Sequence, residues 1–256
     1  AWSEDAVEAA DELDRLVPAM ERALGRDADD TLEAMRFRVR VLRRLADDGD
    51  DPRSSAEHLL GLLREILGRE TVLAGPDAET PLRTRFEIVE LLRENGQTED
   101  ALTAATAVRE DAVRALGRTS VLSVEAGLRE QRLLRTHLDG AGAEPTEITE
   151  TTEPTGTTEP TASGEARDRA VALAEELCDA AEDACREAVQ RSAARDELRI
   201  RGRALAEAWI IRADWFPEGS QEAADLFEAG AARIDALGIP FRVDAIRLYD
   251  RLAGLL

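Results

Sequence analysis

The stretch LGRDADDTL at residues 24–32 returns as AGPDAETPL at residues 74–82 and, in a shorter form, as LGRTSVL at residues 116–122. Each stretch has a glycine at its second position, and these glycines are 50 and 42 residues apart. Self-similarity at a period of about 20–50 residues is the signature of a repeat protein. Each interval has room for two helices of ordinary length. The recurring stretch is therefore predicted to be the joint between successive two-helix units.

Apolar residues recur at every third or fourth position through almost the whole chain, which is the period of one helix face. No alternating run is long enough to indicate a strand. The chain is therefore predicted to be all-α, with turns at breaks that contain glycine or proline. Helices are expected at about residues 4–24, 30–48, 54–72, 79–95, 98–116, 120–138, 165–192, 195–215, 219–237 and 241–255.

The core must be built mainly from Ala, Leu, Val and Ile, because aromatic residues make up only 4% of the chain. Such side chains suit closely packed helices better than sheets. The residues of the second helix that are expected to face inward are Leu32, Phe37, Val41, Leu42 and Leu45. Trp209, Trp215 and Phe216 are interpreted as core residues of a late hairpin rather than as a ligand site.

Residues 139–164 form the clearest break in composition, with six acidic residues, no basic residue and almost nothing apolar. Such a segment cannot bury enough surface to offset its ordering entropy. It is predicted to be a disordered linker inserted in a repeat. The chain is thus divided into a first set of repeats at 1–138 and a second set, with a capping helix, at 165–256.

The charge and cysteine content exclude several classes of protein. The net charge is −21, and all 33 basic residues are arginine. Nucleic acids and anionic membranes both require a basic surface, so neither is an expected partner. Two cysteines are too few for a disulfide framework and favour a reducing compartment, which predicts a cytoplasmic location. No apolar run approaches the length of a membrane span.

The glycine joints resemble those of the tetratricopeptide repeat (TPR) family, in particular its long-period, kinesin-light-chain-like type. That type carries a Leu-Gly-x-Asp joint followed by Thr-Leu, as residues 24–32 do. The family also has a glycine in the turn inside each hairpin and a small residue five places later. Gly96 with Ala101, and Gly219 with Ala224, fit this pattern.

The resemblance implies a right-handed, TPR-like solenoid of about ten helices that acts as a protein-interaction scaffold and not as an enzyme. Repeats of this type are common in bacterial signalling and regulatory proteins. The chain lacks a starting Met, and its first helix resembles the second half of a hairpin. We therefore expect the sequence to be a piece of a longer regulatory protein, as its sensor or docking part.

The residues that usually carry chemistry are scattered. His58 and His137 lie in different units, without a pattern of cysteines or carboxylates beside them. Cys178 and Cys185 share a helix face, but two thiolates alone make a poor zinc site, and small buried residues are the simpler interpretation. The sequence has no phosphate loop or nucleophile elbow. No catalytic residue, metal or cofactor is predicted.

Arginine is concentrated in one class of helix. In such solenoids the first helix of each hairpin lines the concave groove. The helices expected there hold 16 arginines against 12 acidic residues, whereas the outer helices hold 12 against 26. Because the guanidinium fork binds carboxylates, this pattern favours a groove for an acidic peptide or a C-terminal carboxylate. The ranges expected to line the groove are 31–48, 80–95, 120–138 and 195–215.

The candidate partner-binding residues are Arg36, Arg40, Arg43, Arg83, Phe86, Glu90, Arg93, Arg129 and Arg132. Two alternatives stay open at this point. The arginines could pair with neighbouring acidic residues and only hold the repeats together. The groove could also contact other domains of the same polypeptide, with no external ligand. The acidic linker is a further hypothetical occupant, because its tether would raise its local concentration.

Overall fold

A computed structural model describes residues 2–48, 52–141, 162–217, 219–238 and 250–251 of the chain. The elements, numbered in chain order, are α1 (Trp2–Leu24), α2 (Asp29–Asp48), a 3₁₀ turn (Pro52–Ser54), α3 (Ala56–Ala74), α4 (Glu79–Glu94), α5 (Thr98–Leu116), α6 (Val121–Ala141), α7 (Ala162–Gln190), α8 (Arg195–Ala213) and α9 (Gln221–Ala236). Strands are absent from the described residues.

Each of the first nine predicted helices is present, with ends that differ from the prediction by at most three residues. The tenth, expected at 241–255, lies outside the described residues except for positions 250 and 251, which are helical. Helices α6 and α7 extend three residues into the predicted linker from either side, and 142–161 lie outside the described residues. The division into repeats and linker stays a prediction.

The three joints share one backbone geometry. Gly25, Gly75 and Gly117 have φ values of +102°, +87° and +83°, a conformation that side-chain-bearing residues rarely adopt. The N–H of each glycine donates to the carbonyl four residues earlier, at 3.0–3.1 Å, and each glycine carbonyl accepts the N–H three residues later. This ends one helix and starts the next. The repeated sequence is therefore a repeated helix cap.

A side chain closes two of these joints. The Thr31 hydroxyl donates to the Gly25 carbonyl at 3.0 Å, and the Ser123 hydroxyl donates to the Gly117 carbonyl at 2.8 Å. Both hydroxyl residues lie six positions after their glycine and both are buried. Pro81 holds the corresponding position in the second joint. The sequence similarity between the first and third joints thus extends to a shared hydrogen bond.

The turn between α7 and α8 has no glycine. Ser192 adopts the left-handed conformation with φ of 53°, and the Ala193 N–H donates to the Ala188 carbonyl at 2.9 Å. The turn after α4 makes the equivalent bond from the Gln97 N–H to the Leu92 carbonyl at 3.0 Å. Both turns close the preceding helix in the same way, so Ser192 carries a backbone strain that glycine would avoid.

The chain forms two compact units, Ala1–Asp111 and Ala112–Leu256. In the first unit α2 lies between α1 and α3, and α3 packs against α4. Its core is aliphatic and includes Leu42, Leu63 and Leu82. Phe37 was expected in this core, and that prediction is wrong, because its ring is 47% exposed. The other inward positions predicted on α2 are buried or half-buried.

In the second unit α7 packs against α6 and α8, and α8 packs against α9. Its core is rich in alanine and contains both tryptophans that were expected there, Trp209 and Trp215. Close approach is visible at Gly230, where an added Cβ would meet the Trp209 ring. The small residues that α9 buries are Ala223, Gly230 and Ala231, whereas Ala224, expected in that role, is half-buried.

Candidate functional site

Helix α2 carries a stripe of three arginines that borders its buried face. Arg36, Arg40 and Arg43 follow at steps of four and three, so they share one face of the helix. Leu42 and Val39, by contrast, are buried. The α4 candidates in the same unit are Arg83, Glu90 and Arg93. We call these six residues the arginine surface.

Arg36 is held in place by a buried acidic residue of a neighbouring helix. It donates to Glu70 of α3, whose side chain is only 2% exposed. The other oxygen of Glu70 accepts a hydrogen bond from the Thr84 hydroxyl of α4 at 2.7 Å. Glu70 therefore ties α2, α3 and α4 together. Because removing Arg36 would leave a buried carboxylate without its counter-ion, its main role is structural.

Arg40 is the most exposed arginine of the stripe. It pairs with Glu33 on its own helix at 3.1 Å, and both side chains are more than half exposed. Its guanidinium lies 5.5 Å from the centre of the exposed Phe37 ring, within the range of a cation–π contact. Exposed pairs of this kind contribute about 0–1 kcal/mol, so a partner could displace Glu33 at little cost.

The α4 candidates also have acidic neighbours within their own helix. Arg83 pairs with Glu79 at 2.6 Å, one helical turn earlier. Arg93 lies 3.2 Å from Glu90 and 3.6 Å from Glu94. The arginine surface is therefore an array in which arginines and acidic side chains alternate, and not a continuous basic patch. Pairs within one helix do not join one repeat to another, so the alternative that the arginines hold the repeats together stays open.

A cavity of about 610 Å³ opens at one end of the arginine surface. Arg43, Arg93 and Glu94 line it together with Ala46 and Ala56, its accessible apolar residues. Leu59 and Leu91 also belong to its lining and are almost fully buried. Arg43 donates from one nitrogen to both carboxylate oxygens of Glu94, at 2.7 Å each. The cavity thus combines two guanidinium groups with an apolar wall.

Glu87 of α4 belongs to the same electrostatic environment and was not predicted. Burial raises the pKa of the Glu87 carboxyl above its usual range, and the charges of Arg43, Arg36 and Arg40 oppose this rise. A desolvated carboxyl prefers its neutral form. No local signal identifies Glu87 in the sequence, because its environment is made by a helix about 45 positions earlier.

Three of the predicted site residues lie apart from the arginine surface. Phe86 is 8% exposed and belongs to the core, so little of its ring is available to a partner. Arg129 and Arg132 lie on α6 in the second unit. Arg132 pairs with Glu207 of α8 in that unit, and Arg129 is half-buried.

The second unit contains a buried polar network that the sequence did not reveal. The Gln131 side chain is fully buried, accepts from the Trp215 Nε1–H at 2.8 Å and donates to the Ala170 carbonyl at 3.0 Å. Arg167 donates to the Trp215 carbonyl at 2.7 Å. Every bond joins different helices or their ends, so the network fixes how α6, α7 and the end of α8 pack.

The histidines and cysteines form no reactive cluster in the described residues. His58 and His137 are each half-buried. Burial raises the pKa values of the Cys178 and Cys185 thiols to about 12, which keeps both protonated and unreactive at neutral pH. Among the described residues, no three side chains of metal-binding type come together.

No protein-family model matches the chain, and no curated protein matches it. Solved structures do match. One is a Podosopora anserina protein described as a kinesin light chain with nearly identical TPR-like repeats, at 14% identity and a TM-score of 0.51, covering 93% of this chain and 90% of that chain. A single-residue variant of that protein matches at 15% identity and 0.52, covering 94% and 92%. BtubC (BKLC) from P. vanneervenii matches at 12% identity and 0.39, covering 99% and 89%.

At these identities the first two matches establish the fold. The chain has an all-α fold of TPR-like helical hairpins, which confirms the predicted fold class and the resemblance from which it was drawn. In the part of the chain that the structure describes, every helix is too short or too polar to cross a bilayer.

Proposed function

We propose that this chain is a non-enzymatic scaffold that binds a protein partner. The observation that carries the proposal is the TPR-like fold. Stacked helical hairpins present a broad surface of side chains on rigid helices, and binding by such a surface needs no reactive group. Helical-repeat scaffolds of this kind typically join other proteins. The setting that we infer is the sensor or docking part of a larger cytoplasmic regulator, as in bacterial signalling proteins.

The partner that we propose is an acidic peptide or protein segment that binds the arginine surface of α2 and α4. Arg40, Arg83 and Arg93 support this proposal, because each is about half exposed. Their present partners are carboxylates on the same helix, and such pairs are weak. A carboxylate from a partner would replace one exposed ion pair with another. Arg36 has the different task of neutralising Glu70.

The test is charge reversal on the surface against charge reversal elsewhere in the same unit. The triple variant Arg40→Glu, Arg83→Glu and Arg93→Glu removes the basic groups that are most accessible to a partner. The control variant Arg15→Glu changes an exposed arginine of α1. Both are compared with the unaltered protein by circular dichroism, to confirm folding, and by capture of partners from cells of the source organism.

We expect the unaltered protein and Arg15→Glu to capture the same partner and the triple variant to lose it. Equal capture by all three folded proteins would contradict the arginine surface as the binding site. Failure of the unaltered protein to bind any external protein, together with binding to another segment of its own polypeptide, would favour the alternative of an intramolecular domain.

A further inference from the structure

Glu94 occupies an unusual place at the cavity of the first unit. It is the last residue of α4, and the cavity that it borders holds about 610 Å³. A carboxylate at the C-terminal end of a helix is repelled by the exposed carbonyl groups there. Glu94 therefore does not stabilise its own helix. Its contacts are with arginines, at 2.7 Å from Arg43 and 3.6 Å from Arg93.

The contrast with Glu70 shows which acid is structural. Glu70 is buried, binds Arg36 and accepts from the Thr84 hydroxyl. Glu94 is 42% exposed, and among the described residues its carboxylate is held by the side chains of Arg43 and Arg93. It can therefore rotate into water without leaving a buried group unsatisfied. Such a contact contributes about 0–1 kcal/mol.

We propose that Glu94 is a built-in competitor, occupying the position that an acidic side chain of the partner takes when the partner binds. This inference rests on the proposed function and adds the chemistry of one contact. The incoming carboxylate would take the place of Glu94 between Arg43 and Arg93. An apolar residue next to it would enter the cavity and pack against Ala46 and Ala56. The partner segment is therefore one in which an acidic and an aliphatic side chain are neighbours.

The geometry explains why a competitor matters for specificity. With Glu94 in place, a ligand that offers only a carboxylate gains little binding free energy from Arg43, because its ion pair replaces the one between Arg43 and Glu94. A segment that also fills the apolar side of the cavity gains the burial of its aliphatic group, at roughly 25 cal/mol per Å². Glu94 thus favours segments that combine both features over segments that are merely acidic.

The experiment uses the full chain and a defined probe. The probe is a fluorescein-labelled hexapeptide of alternating leucine and glutamate with an amidated C-terminus, and its control has glutamine in place of glutamate. Binding is measured by fluorescence anisotropy at low salt. The variant Glu94→Gln keeps the shape of the side chain and removes its charge. The matched control is Glu12→Gln on α1, where Glu12 is exposed and lies outside both the arginine surface and the lining of the cavity.

We expect Glu94→Gln to bind the glutamate peptide about two- to five-fold more tightly than the unaltered protein, which is the range set by a weak exposed pair. Glu12→Gln should change the affinity less, and Arg43→Gln added to Glu94→Gln should abolish the gain. The glutamine peptide should bind all variants equally weakly.

Two results would overturn the inference while leaving the proposed function intact. In the first, the unaltered protein and Glu94→Gln bind the glutamate peptide equally. In the second, Glu12→Gln tightens binding as much as Glu94→Gln, which would indicate a general effect of net charge. If the glutamate peptide binds no form of the protein better than the glutamine peptide, the inference fails together with the acidic partner that it assumes.

Discussion

Gly230 lies where α9 approaches α8 most closely, so a side chain added there measures the packing of the second unit. A Cβ at this position would lie 2.7 Å from Trp209 Cγ and 2.9 Å from Trp209 Cβ and Cδ2. Such distances are too short for carbon atoms, so a neighbour must move. The Trp209 side chain is buried, and the Arg212 guanidinium lies 5.4 Å from its ring centre. The indole therefore has no open space into which it can turn.

Two opposing effects set the size of the stability change caused by Gly230→Ala. In an isolated helix, alanine is about 1 kcal/mol more favourable than glycine. Forcing extra volume into a well-packed core costs about 1–3 kcal/mol. Because the clash involves the ring and Cβ of a buried indole and not the end of a flexible chain, the core effect should dominate. We expect Gly230→Ala to lower the free energy of unfolding of the second unit by about 1 kcal/mol, which is a core cost of about 2 kcal/mol less the helix gain.

The assay is urea unfolding followed by far-ultraviolet circular dichroism and by tryptophan fluorescence, to which Trp209 and Trp215 contribute from the second unit. Gly68→Ala serves as the control. Gly68 also lies inside a helix, and no atom lies within 4 Å of its added Cβ. That substitution should raise stability by about 0.5–1 kcal/mol through helix propensity alone.

Replacement by alanine is thus predicted to lower the free energy of unfolding at Gly230 and to raise it at Gly68. If Gly230→Ala is as stable as the unaltered protein or more so, the close approach of α9 to Trp209 is wrong. If Gly68→Ala also destabilises, the difference cannot be assigned to packing.

Three further predictions concern single residues. Ser192→Gly should stabilise the chain by about 1 kcal/mol, because glycine adopts the left-handed conformation without strain, and an unchanged urea midpoint would contradict this. Gln131→Leu should destabilise the second unit by about 1–3 kcal/mol, because it leaves the buried Trp215 Nε1–H without its partner; a loss below 1 kcal/mol in urea unfolding would indicate that water replaces the Gln131 side chain. Glu87→Gln should stabilise the protein at neutral pH and have no such effect in acid. The pKa of Glu87 is raised in the folded state, so folding is favoured below its ordinary pKa and penalised as pH rises through the raised value. Unfolding measured at several pH values should show the two proteins converging as pH falls, and a constant difference would exclude this cause.

The helices could be predicted well because their signals are local. The 3.6-residue period needs only one helix to be visible, and the glycine joints depend on a backbone conformation that few other residues adopt. Gly25, Gly75 and Gly117 all have the positive φ that the recurring stretch indicates. Ser192 had no such signal, because serine does not indicate a left-handed turn.

The candidate site was less predictable because its charged residues pair with residues that are far away in the sequence. The sequence shows that Arg36, Arg40 and Arg43 share one helix face, and the structure agrees. It does not show that Glu70, 34 residues later, neutralises the first, or that Glu94, 51 residues later, binds the third. The prediction that Phe37 is buried was wrong for a related reason. The apolar side of a helix is visible locally, but which edge of it a neighbouring helix covers depends on packing.

The sequence by itself determined that this protein is a chain of helical hairpins joined at glycine caps, because each of those features follows from the conformational preferences of a few consecutive residues. Only the tertiary structure decided which arginines are committed to buried acids, which stay about half exposed, and where a cavity lies beside two of them. The physical reason is that burial and charge pairing are properties of contacts between helices, and such contacts exist only once the chain has packed.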